Sequence, residues 1–246
     1  NKDLKLNTIK RISDVLLAKG DLKSAMKIID NELASSIWND DEKIQIRVKQ
    51  NQILFYESDL DFILDDLTLI SKEYSVEEVD YNDILEIISI LTLFKDHEDI
   101  FKKFTQAQLK IHQNKRAEAI IILDLITKTS ENVLLNNLIN YQIANLLVSQ
   151  NKPNEAIEKL QTIIGEDIYK ELGQILIAEI YDYILHDFSS AKIYYLSILQ
   201  NFPRFQEPGV WGSRYPGFSR FPGHRLTQTP TDTLNVALGC LQRWQP

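Results

Sequence analysis

Apolar side chains recur along most of this chain at three- and four-residue intervals, with no run of strict alternation, and that spacing predicts helices. Segments 40–56, 58–73 and 79–94 each carry the pattern almost without glycine or proline, with Ile44, Val48 and Ile53 marking the first and Leu60, Ile63, Leu64 and Leu67 the second. Ser58 with its following acids reads as an N-cap and first turn, suited to the positive end of a helix dipole. Asp40, Asp41 and Glu42 read as the start of another helix. Carried through residue 202, the pattern gives about eleven helices and no convincing strand.

Four segments repeat one another: LAKGDLKSAMKII from Leu17, HQNKRAEAIIIL from His112, SQNKPNEAIEKL from Ser149 and LHDFSSAKIYYL from Leu185. Each is a polar turn, then a small residue, then an apolar stripe. The small residues are Ala25, Ala119, Ala156 and Ala191, and four places further on stand Ile29, Leu123, Leu160 and Tyr195. Twelve places before the first three alanines lie Ser13, Ala107 and Ala144; before Ala191 the small residue, Ala178, is one place off. Two helices joined by a tight turn approach closely only where side chains are small, so each segment is expected to be a helical hairpin. A lone hairpin leaves apolar faces uncovered, so hairpins stack. Between Ala25 and Ala119 the interval is 94 residues, not a whole number of repeats, and three helices in that stretch leave one unpaired or one repeat degenerate.

This pattern resembles the tetratricopeptide repeat family, most closely in the last unit, AKIYYLSILQNFP, where Pro203 follows Ala191 by twelve residues. The resemblance covers residues 1–35 and 99–203. It departs from the family in lacking the signature Trp and Gly of the first helix. It implies an all-α, right-handed superhelical solenoid of antiparallel helix hairpins, with the first helix of each hairpin lining a concave groove that holds a partner protein or peptide. By helical phase the groove residues are Phe104, Gln108 and His112; Tyr141, Asn145 and Val148; and Leu176, Ile180 and Tyr183. Aromatic rings add contact area with few torsions to freeze, and amides can pair with peptide backbone.

Composition divides the chain at residue 203. Six of its seven prolines and five of its eight glycines lie at or beyond that point, isoleucine disappears, and arginine replaces lysine. Residues 1–202 carry 22 basic and 33 acidic side chains, a net of -11; residues 203–246 carry five and two, a net of +3. A joint switch in all these residue types reads as foreign sequence, from a vector or another reading frame, in preference to a native Pro/Gly-rich linker and basic arm. The chain is therefore expected to comprise a repeat domain, 1–202, and an irregular tail, 203–246. Leu234, Leu238 and Leu241 predict a short tail helix near 232–243, which would pack on an apolar surface left open by the array or mediate self-association. Trp211, Tyr215 and Phe218 could pack in the same way. Met26 is the only methionine, so the chain is expected to be a fragment or a processed product.

Few signs of chemistry appear. Cys240 stands alone, which excludes an intrachain disulfide and a cysteine-based zinc site. His97 begins HEDIF, without the second histidine of a zinc-protease helix, and neither a glycine-rich phosphate loop nor a G-x-S-x-G elbow occurs. Gly165 and Gly173 read as helix ends, and His112 and His186 as turn residues. Asp59, Asp61, Asp65 and Asp66 crowd one helical stretch and could serve a divalent cation in a helical metal-dependent enzyme, but no glycine-containing calcium loop frames them, and a solvated helix start on an acidic protein is the favoured reading. An acidic body suits nucleic acid poorly, and the Arg-aromatic tail is its only candidate. The expectation is a non-enzymatic interaction scaffold without cofactor or metal. The alternative within this class is a bacterial envelope lipoprotein or assembly component, and the sequence leaves the compartment open.

Overall fold

The computed structural model describes residues 2–57, 59–73 and 81–202. The tail with its predicted helix at 232–243 lies outside the described residues, as does Ser58. Among the described residues there are eleven α-helices and no strand: α1 (Lys2–Lys19), α2 (Leu22–Leu33), α3 (Asp40–Glu57), α4 (Leu60–Glu73), α5 (Tyr81–Thr92), α6 (Glu98–His112), α7 (Arg116–Thr129), α8 (Val133–Ser149), α9 (Pro153–Gln161), α10 (Ile168–Glu179) and α11 (Phe188–Asn201). One π-helical turn, Ile180–Ile184, continues α10. None of these helices is long and apolar enough to cross a membrane. The chain forms two compact units that divide between Ile126 and Thr127.

The four expected hairpins are α1–α2, α6–α7, α8–α9 and α10–α11. Their turns share one backbone device. A residue with positive φ lies five places before each small residue: Gly20 at 79°, Asn114 and Asn151 at 59°, and His186 at 55°. A left-handed residue closes a helix and reverses the chain; glycine adopts it freely, and asparagine is among the few others that tolerate it. In three hairpins the next amide bonds a carbonyl five residues back: Asp21 to Leu16 at 2.9 Å, Lys115 to Lys110 at 2.8 Å and Lys152 to Leu147 at 3.0 Å. The fourth spans six, from the Asp187 amide to the Tyr181 carbonyl at 2.8 Å. Its extra residue is the π turn, where the Leu185 amide reaches the Ile180 carbonyl at 2.9 Å. The same insertion explains why Ala178 stands one place off the interval kept by the other hairpins.

The paired small residues are all buried: Ser13 and Ala25, Ala107 and Ala119, Ala144 and Ala156, Ala178 and Ala191. So are Ile29, Leu123, Leu160 and Tyr195 four places on. Gly173, expected at a helix end, instead lies inside α10. A Cβ there would meet Ile163 Cδ1 at 3.3 Å and Leu160 Cδ2 at 3.6 Å, so glycine lets α9 and α10 approach closely.

In the first unit α3 is the central helix, packed on α1, α2, α4 and α6, while α5 packs on α4. The odd helix thus finds partners on both sides. Leu6, Ile9, Leu17, Ala25, Ile29, Trp38, Ile46 and Ile53 form one core. A second is aromatic: Phe94 lies 4.7 Å from Phe104 and 5.5 Å from Phe101, and Phe55 meets both edge-on at 5.8 and 6.3 Å. A reciprocal capping box starts α3, with Asn39 Oδ1 accepting the Glu42 amide and Glu42 Oε2 accepting the Asn39 amide, each at 2.8 Å. In the second unit α10 packs on α8, α9 and α11. Asn137 of α8 donates to the Ile164 carbonyl at 2.6 Å and to Asp167 Oδ2 at 2.7 Å, which ties the α9–α10 connection to α8.

Candidate functional site

Within the first unit, the expected groove residues of α6 are mostly interior. Phe104 is enclosed in the aromatic core, and Gln108 is fully buried. Helix α3 lies against α6 and occupies that side, with the Phe55 ring meeting that of Phe104. His112, the last residue of α6, is half-buried.

In the second unit Tyr141 is buried, its ring 6.3 Å from that of Tyr169 on α10. Leu176 and Ile180 are buried too, while Asn145, Val148 and Tyr183 are half-buried. Asn145 donates from Nδ2 to the carbonyl of Tyr141 at 3.0 Å, and its Oδ1 has no hydrogen-bond partner. An enclosed amide oxygen left unmatched costs free energy. Asn145, Val148 and Tyr183 are therefore the residues of this unit's expected face that keep partial exposure.

The acids of α4 do not gather. Asp59 accepts the Phe62 amide at 3.3 Å and serves as the helix cap. Asp66 turns toward α3, where Arg47 donates to it at 2.5 Å and buried Asn51 at 2.6 Å. Arg47 also donates to Glu73 at 2.9 Å. Among the described residues, no three His, Cys, Asp or Glu side chains are grouped to hold a metal ion. One of the four acids, Asp66, thus ties two helices together.

A polar cluster that the sequence reading missed lies inside the first unit. Lys49 of α3, only 5% exposed, forms a short ion pair with Asp14 of α1 and donates to Gln52 at 2.8 Å. His112 Nε2 sits 3.5 Å from the Asp14 carbonyl oxygen, and its ring centre is 6.2 Å from that of Tyr56. Burial lowers the Lys49 pKa against the opposing pull of Asp14, and burial raises the Tyr56 hydroxyl far above its ordinary value. The signal was available: Lys49 lies on the α3 stripe between buried Ile46 and Ile53, where a lysine needs a carboxylate partner.

Burial also lowers the pKa of His112 below 6.5, with nearby Lys49 adding to the effect. The fold favours the neutral ring, so the unfolded chain takes up the proton first as pH falls. Stability is expected to decline as pH drops through about 6.5, and to level off below the folded-state value. Thermal melts of wild type and His112→Gln between pH 7.5 and 5 test this: the variant should show the smaller decline, and parallel profiles would refute the assignment.

No protein-family model matches this chain, and neither a curated protein nor a solved structure is similar to it.

Proposed function

We propose that this chain is a non-enzymatic scaffold, a tetratricopeptide-like right-handed solenoid that holds a segment of a partner protein. The observation that carries the reading is the recurrence of one turn, a left-handed residue five places before a buried small residue, in four hairpins. Repetition of a packing unit builds surface, whereas catalysis calls for a unique constellation of groups. On the second unit the partner would meet Asn145, Val148 and Tyr183, the residues of that face that keep partial exposure. His112 offers a further polar contact on the first unit.

Affinity capture from a lysate of the source cells tests the proposal, with wild type beside an Asn145→Ala/Tyr183→Ala double variant of equal melting temperature. A protein retained by wild type and lost by the variant supports it. Retention by both, or by neither, removes this face as the binding site.

A further inference from the structure

We draw no further inference here: the strongest candidate, the polar groove that the start of α10 and its preceding loop form with Asn201 and Phe202 at the end of α11, lies where the described residues stop, and nothing in the structure shows what covers it.

Discussion

Replacing Phe104 with alanine is expected to lower the stability of the first unit by about 3–5 kcal/mol. The ring is fully buried and lies within 4.7 Å of Phe94 and 6.3 Å of Phe55, so truncation removes the transfer energy of a large apolar group and leaves a cavity between three remaining rings. Phe104→Leu keeps most of the volume and should cost less than half as much. Urea denaturation of the three proteins measures the differences. A ring that served a solvent-lined groove would lose about 1 kcal/mol or less on truncation, so a small effect would restore Phe104 to the binding surface and discredit the aromatic core.

The second large effect concerns the pair formed by Lys49 and Asp14. Asp14→Ala is expected to cost about 3 kcal/mol, because it leaves an ammonium enclosed without its counter-charge. Lys49→Met should cost much less, since it exchanges the cation for an apolar side chain of similar length and the remaining carboxylate is the more exposed partner, at 19% against 6% for the lysine side chain. The double variant should therefore be more stable than Asp14→Ala alone. Denaturant midpoints of the four proteins complete the cycle. Strict additivity of the two single changes would mean that the pair is not coupled and that Lys49 reaches water by another route.

Both effects arise where α3 meets α1 and α6, and that junction divides what local sequence determines from what it does not. Hairpin positions were legible because the determinants are local. A turn residue able to take positive φ, a small residue five places later and an apolar residue four beyond it all lie close together along the chain, each about one turn from the next. The helices between residues 40 and 94 were legible for the same reason, with ends displaced by no more than two residues. Even the one-place slip at Ala178 was visible as a slip, although its cause, the π turn at Ile180–Ile184, appears only in the backbone.

The candidate site was less legible because exposure is a property of neighbours. Helical phase places Phe104 and Gln108 on one face of α6, but it cannot say that α3, some fifty residues earlier in the chain, covers that face. Gly173 was misread on similar grounds: in sequence it resembles a helix end, and only the approach of Leu160 and Ile163 shows it to be a contact point. Asp66 reads as one of four clustered acids until Arg47 and Asn51 claim it across the α3–α4 interface. Sequence by itself determined the helices, the repeated hairpins and their close-crossing residues, because spacing along a single helix fixes which side chains share a face. Tertiary structure alone decided which of those faces are core and which ions are paired, because burial and pairing depend on segments distant in sequence that meet only when the chain folds.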